Sequence, residues 1–328
     1  MNFRETTGRT RVNKRDILIG VSASLAAAFA GPAISAEPLK ELRIGYQKIG
    51  ALLIVKAQKA LEQRFEPQGV RVRWIEFAFG PPLLEALGAG AIDYGYTGDA
   101  PPIFAQAARE DLLYAAAIPA RGYGQAIVVP AASSIQDVAG LEGKKVAVAK
   151  ASSAHNLLVA ALESVKLPWT AITPIYLAPP DAAAAFVRGA VDAWSIWDPF
   201  FAIAELKQKA RALPLDRKVT TQNSFFLVNG GFAGKHPEVV ATINGAVATT
   251  TRWADQHRDQ VAAILAEASG VDLAAEQRSI DRAEFTFGPL NNDVLAQQQG
   301  VADRFQRLGL IPAPIRVRGI VWPWKSNT

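Results

Sequence analysis

Gly90-Ala91-Ile92-Asp93-Tyr94-Gly95-Tyr96-Thr97-Gly98-Asp99-Ala100-Pro101-Pro102 returns about a hundred residues later as Gly189-Ala190-Val191-Asp192-Ala193-Trp194-Ser195-Ile196-Trp197-Asp198-Pro199-Phe200. Each copy sets one Asp six residues before a second and then reaches Pro, with Pro81-Pro82 and Pro179-Pro180 upstream. A period this long lies outside the roughly 20–50 residues of solenoid repeats. It reads as two lobes of one architecture, with the second Asp of each copy in a matching loop. Two such lobes imply a cleft between them, and a cleft implies a ligand.

Working outward, strand and helix patterns alternate on both sides of each copy. The first half predicts strands over 42–46, 70–77, 92–96 and 112–118, with helices over 51–65, 83–87 and 101–108. The second half predicts strands over 145–149, 172–177, 191–196 and 210–215. Its helices fall over 153–165, 181–188 (Asp181 as N-cap) and 199–209. Alternation of this kind predicts α/β lobes with parallel sheets covered on both faces. Apolar strands over 125–129 and 225–228 sit in Gly-containing segments and read as two crossovers forming a hinge. Residues 236–308 are helical and Ala-rich and are expected to pack back on lobe one. The division is then 1–36, an export signal; 37–124, the first part of lobe one; 125–222, lobe two; and 223–328, a return strand with C-terminal helices on lobe one.

The 328 residues suffice for two full cores, and their 50% hydrophobic and 20% charged content is that of an ordinary globular chain. Of the net charge of +5, residues 1–36 carry +3 (five Lys/Arg against two acids), which leaves +2 for the rest. No basic stripe marks a nucleic-acid binder. A basic stretch ending at Arg15, an apolar run over 17–30 and small residues up to Ala36 read as a cleavable signal. The run is shorter than the roughly 20 residues of a membrane span. With no cysteine, disulfides, thiolate chemistry and a lipid anchor on Cys are excluded, and a soluble exported chain fits the periplasm.

In open α/β sheets, ligands bind beyond the carboxyl ends of the strands, at helix starts. Four loops here obey that rule: Gln47-Lys48-Ile49-Gly50, Thr97-Gly98-Asp99, Ala151-Ser152-Ser153 and Trp197-Asp198. A helix start offers free N–H groups and about half a positive charge, a seat for an oxyanion. Ser152, Ser153, Thr97 and Gln47 add neutral donors. Each residue has a plainer role open to it: Ser152 and Ser153 as N-caps, Asp99 and Asp198 as caps or loop anchors, Trp197 as core, Gly98 as a turn residue. Convergence of the four loops on one face is what points to a ligand. Enzyme readings fare worse. Ser152 and His155 lie in no nucleophile elbow, and phosphate loops are missing. Three His without Cys argue against zinc, and no cofactor or metal is expected.

Leu42-Arg43-Ile44-Gly45-Tyr46-Gln47-Lys48, the Thr97–Ala107 stretch, Ser152-Ser153-Ala154-His155-Asn156-Leu157-Leu158 and Val191–Pro199 together resemble the aliphatic-sulfonate-binding proteins of bacterial ABC importers. The likeness spans nearly the whole mature chain, including the tail near Trp322. It implies a type II periplasmic-binding-protein fold, two α/β lobes joined by a two-strand hinge. It also implies delivery of alkanesulfonates to an inner-membrane ABC permease for sulfur acquisition. Gln47, the Thr97–Asp99 loop, Ser152, Ser153 and the Trp197-Asp198 loop would line the site, with Trp197, Tyr46 and Tyr123 facing the alkyl tail. A monomer is expected. Trp-Asp-Pro alone would also suit taurine, nitrate or thiamine-precursor binders, so the same scaffold binding taurine, nitrate or another small anion is the first alternative, and a secreted hydrolase or desulfinase is the alternative from another class. Ala151 stands where the family often has Gly, and residues 119–124 diverge. Arg121 there is read as a solvated loop residue.

Overall fold

The computed structural model describes Gly8 and residues 38–119 and 122–324. The signal expected over 1–36 (Gly8 apart) and Arg121 lie outside the described residues. The chain opens with β1 (Glu41–Tyr46), α1 (Gly50–Ala57), α2 (Glu62–Phe65), β2 (Arg71–Glu76) and α3 (Gly80–Gly88). It continues with β3 (Tyr94–Thr97), α4 (Ala100–Ala107) and β4 (Leu112–Ile118). The helix expected over 51–65 is broken, because Lys59 adopts a left-handed φ of 52°. The break lets Leu61 and Phe65 turn into the core. α3 starts earlier than expected, since Pro81 and Pro82 fit its first turn, where their missing N–H groups cost little.

Lobe two contains β5 (Gln125–Pro130), β6 (Lys145–Val148), α5 (Ser153–Ser164), β7 (Thr173–Tyr176) and α6 (Pro179–Val187). After these come β8 (Ala193–Trp197), α7 (Phe200–Lys207), β9 (Ala210–Ala212) and the short α8 (Arg217–Thr220). Asp181 is not an N-cap: Pro179 and Pro180 open α6 after Ala178, and Asp181 sits in the first turn.

The first sheet runs β2-β1-β3-β10-β4, where β10 is Ser224–Asn229, and the second runs β7-β6-β8-β5-β9. Neither is wholly parallel. β10 is antiparallel to β3 and β4, and β5 is antiparallel to β8 and β9. The cause is topological. Gln125 pairs with Trp197, the last residue of β8, and Phe225 pairs with Thr97, the last residue of β3. A chain that crosses between lobes enters each sheet at the edge where the other strands end, so it must run backwards. The crossovers are thus members of the sheets as well as links between them.

The first Asp of each sequence copy holds strand register. Asp93 accepts from Arg43 N at 2.7 Å and donates its own N–H to Arg43 O at 2.8 Å, joining β3 to β1. Asp192 does the same with Lys145, at 2.8 Å in both directions, joining β8 to β6.

The chain ends in α9 (Gly230–Lys235), α10 (Pro237–Gln256), α11 (Arg258–Ser269), α12 (Leu273–Arg282) and α13 (Asn292–Arg307). α10 packs Val240, Ile243 and Val247 against Leu52, Leu53 and Val55 of α1. α13 packs Val301 and Phe305 with Ile103 of α4 and Leu83 of α3. Lobe two has its own core around Trp194, Leu157 and Phe201. The C-terminal helices do not serve lobe one alone. On α12, Arg278 and Arg282 pair with Glu205 of α7, and Asp272, just before it, pairs with Lys207. Arg304 of α13 pairs with Glu163 of α5 at 2.8 Å.

Candidate functional site

Five helices begin at one cavity between the sheets: α1, α3 and α4 from lobe one, α5 and α7 from lobe two. Its volume is about 180 Å³, below the roughly 300–1,000 Å³ of pockets for drug-sized ligands, so its occupant is small. Of the residues singled out in the sequence, Gln47, Thr97, Gly98, Tyr123, Ser152, Ser153, Trp197 and Asp198 line it.

Gln47 is buried, and its amide donates to Tyr96 O at 2.9 Å, tying the loop before α1 to β3. Thr97 ends β3 so close to α3 that a side-chain carbon on Gly80 would meet its Oγ1 at 2.1 Å. Gly98 is not a left-handed turn residue, contrary to its plainest reading. A Cβ there would lie 2.7 Å from Ser153 Cβ, so it is the point where the two lobes nearly touch.

Of the five helix starts, that of α5 is the one with a side-chain N-cap, and like α1 and α7 it has no proline in its first turn. Ser152 is its N-cap: Oγ accepts weakly from His155 N at 3.4 Å and donates to Ala149 O at 2.6 Å. Its hydroxyl is therefore committed within the protein. α3 and α4 each place prolines in the first turn, which removes N–H donors. The first turn of α5 holds none, so the amides of Ser153 and Ala154 have no intrahelical partner. Ser153 Oγ bonds to nothing among the described residues. Ala151, two residues earlier, takes φ +60°, the conformation that favours glycine, and its N–H donates to His155 Nδ1 at 3.2 Å.

The two second Asp residues part company. Asp198 lines the cavity: Oδ1 accepts from Ala202 N at 3.0 Å and pairs with Arg282 at 3.3 Å. Burial raises its carboxyl to about 7, although Arg282 pulls it down. Asp99 does not line the cavity. It is buried behind α4, where Oδ2 accepts from Asn156 Nδ2 of α5 at 2.6 Å and its carbonyl accepts from Gln298 of α13 at 2.7 Å. Desolvation raises it to about 7, offset in part by the Asn156 bond.

Tyr46 is also absent from the lining. Its ring is in the lobe-one core, and its hydroxyl meets Lys56 and Glu76. Tyr123 does line the cavity, with the Arg217 guanidinium 4.4 Å from its ring centroid. Sequence reasoning missed Arg282, Gln125, Gln222, Ser224 and Ser279, which also line it. Arg282 lies 84 residues from Asp198 on a helix without a motif. The two Gln residues stand at the starts of the crossing strands, the one signal that could have found them. Arg282 stacks on Phe201 at 4.0 Å and is held by Asp198 and Glu205, so its charge is already compensated. Among the described residues, the free donors of the cavity are neutral groups and helix starts.

Fold and site together define a two-lobed solute-binding protein. Residues 35–269 match the NMT1-like family, and the chain belongs to that family. A protein of Escherichia coli (strain K12) named for binding aliphatic sulfonates is 40% identical over 294 residues, 88% of this chain and 91% of that one. Among solved structures, the alkanesulfonate-binding protein of Xanthomonas axonopodis pv. citri bound to MOPS has TM-score 0.83 and 39% identity, covering 88% of this chain and 99% of that one. The periplasmic aliphatic sulphonate binding protein of Escherichia coli has TM-score 0.78 and 39% identity, covering 87% and 98%. The resemblance read from the loop motifs therefore extends along most of the chain.

Proposed function

We propose that this chain is a periplasmic solute-binding protein that captures alkanesulfonates and delivers them to an inner-membrane ABC permease for sulfur acquisition. The observation that carries this reading is the proline-free start of α5 facing Gly98 across the cavity, with unpartnered amides at Ser153 and Ala154. A sulfonate is permanently ionised, and amides with a helix dipole can hold it without a counter-proton. Ser153 Oγ, Thr97 and Gln47 add neutral donors, Ser152 fixes the helix start, and Trp197 and Tyr123 flank the carbon chain. The named functions of the relatives support the same reading. The chain is a binder and not an enzyme, in keeping with relatives that are named for binding.

The proposal includes export with removal of residues 1–36 and action as a monomer. It divides the chain into 37–124, 125–222 and 223–328, supported by β5 and β10 standing in different sheets. Calorimetric titration tests it. Ethanesulfonate should bind at micromolar Kd, about −8 kcal/mol, and nitrate should compete weakly. No heat from methanesulfonate, ethanesulfonate or taurine up to millimolar would contradict the sulfonate reading.

A further inference from the structure

Among the cavity residues without a role in gripping the anion are two glutamines. Gln222 is 5% exposed, lines the cavity, and neither its amide nitrogen nor its amide oxygen has a hydrogen-bond partner. Gln125 lines the same cavity, and its Oε1 is likewise buried without a partner. Gln222 stands two residues before β10 and Gln125 is the first residue of β5, so one amide enters from each crossover.

Sheet order places them away from the anion seat. β10 lies one strand beyond β3, and β5 lies two strands beyond β6, which leads into α5. At about 4.8 Å per strand, the two crossover strands lie roughly 5–10 Å from the strands that lead to the Gly98–Ser153 contact. That is the reach of a two- or three-carbon sulfonate with a hydrogen bond of about 3 Å at its far end. A buried amide left unpaired is costly, and a site built around one discriminates against ligands that cannot pair with it.

We infer that Gln125 and Gln222 form a polar subsite that reads a hydrogen-bonding substituent at the far end of the sulfonate, so that the protein prefers hydroxy-substituted short alkanesulfonates to unsubstituted ones. This rests on the sulfonate reading above. A hydroxyl donates once and accepts as well, so it can take the Gln222 N–H and give its proton to either Oε1. An ammonium satisfies only the two oxygens, and a methyl group satisfies none.

The test is calorimetric titration with 2-hydroxyethanesulfonate and propane-1-sulfonate, which differ only in a hydroxyl for a methyl. The wild type should bind the hydroxy compound roughly tenfold or more tightly. Gln222→Leu and Gln125→Leu should each shrink that ratio by weakening the hydroxy ligand while leaving the propyl ligand bound. Gln222→Asn withdraws the amide by one carbon, replaces the leucine variants if they do not fold, and should likewise lower the ratio. Equal or tighter binding of propane-1-sulfonate by the wild type overturns the subsite, as does a ratio unchanged in folded variants. Failure of both sulfonates to bind at all would instead overturn the receptor reading beneath it.

Discussion

The two copies of the repeated segment carry out one task in the same way and another in opposite ways. Asp93 and Asp192 bond the backbone of Arg43 in β1 and Lys145 in β6 with nearly identical geometry. Six residues on, Asp99 turns into the seam between α4, α5 and α13, whereas Asp198 faces the cavity and clamps Arg282. A repeated sequence thus reproduces what depends on local topology. It does not reproduce what depends on the element that happens to arrive from elsewhere. At Asp99 that element is α5, and at Asp198 it is α12.

Removing each second Asp separates the two uses most sharply. The Asp99 carboxyl is pushed up to about 7 by desolvation, from 3.8 in a free chain. Between those values the unfolded chain has released a proton that the native protein keeps. Stability therefore falls as pH rises from about 4 to about 7, by at most about 4 kcal/mol. Asp99→Asn should remove that loss, and urea unfolding at pH 4 and pH 8 would show it as a flatter profile. Asp198 is raised to about 7 as well, so Asp198→Asn should flatten its share of the profile in the same way, but it also leaves Arg282 with Glu205 alone at the cavity and should therefore weaken sulfonate binding, which Asp99→Asn should not. Equal sulfonate affinities in the two variants would erase the distinction.

Arg282→Met comes next in size. It leaves Asp198 and Glu205 as neighbouring, largely buried carboxylates, and breaking such a pair should cost about 3 kcal/mol in urea unfolding at pH 8. Part of the loss should return as pH falls below about 7, where Asp198 takes up a proton. A variant as stable as wild type would mean that the α12 clamp is ornamental.

Gly98→Ala tests the contact between the copies. The added Cβ meets Ser153 Cβ at 2.7 Å, a collision across the cavity. Overpacking of this kind costs about 1–2 kcal/mol. The loss should appear in sulfonate Kd, about five- to thirtyfold, with little change in melting temperature if the lobes merely separate.

Much of this architecture is legible in the sequence, because alternation of apolar residues and proline at helix starts act within a few residues. β4 is found at its expected bounds, 112–118. The loops carrying Gln47, Thr97, Ser152 and Trp197 do converge. What was illegible depended on distant partners. Nothing near Arg282 signals that α12 reaches Asp198, 84 residues away. Nothing near Asp99 says that Asn156 will face it, 57 residues on. The antiparallel direction of β5 and β10 follows from where the chain crosses, which no single segment records. Tyr46 was misplaced because it sits one residue before a lining loop and its side chain points to the opposite side, into the core.

The central claim is that the bare amides at the start of α5 hold the anion, and Ser153→Pro measured beside Ser153→Ala tests it most directly. Proline suits the first helical position, and Ser152 is already extended at φ −86° and ψ 171°, as the residue before proline must be. Alanine removes only the hydroxyl; proline also removes the N–H, making α5 resemble the start of α4. Calorimetric titration with ethanesulfonate should show the proline variant binding about tenfold more weakly than the alanine variant, about 1.4 kcal/mol, while both melt close to wild type. Equal affinities in two well-folded variants would contradict the account.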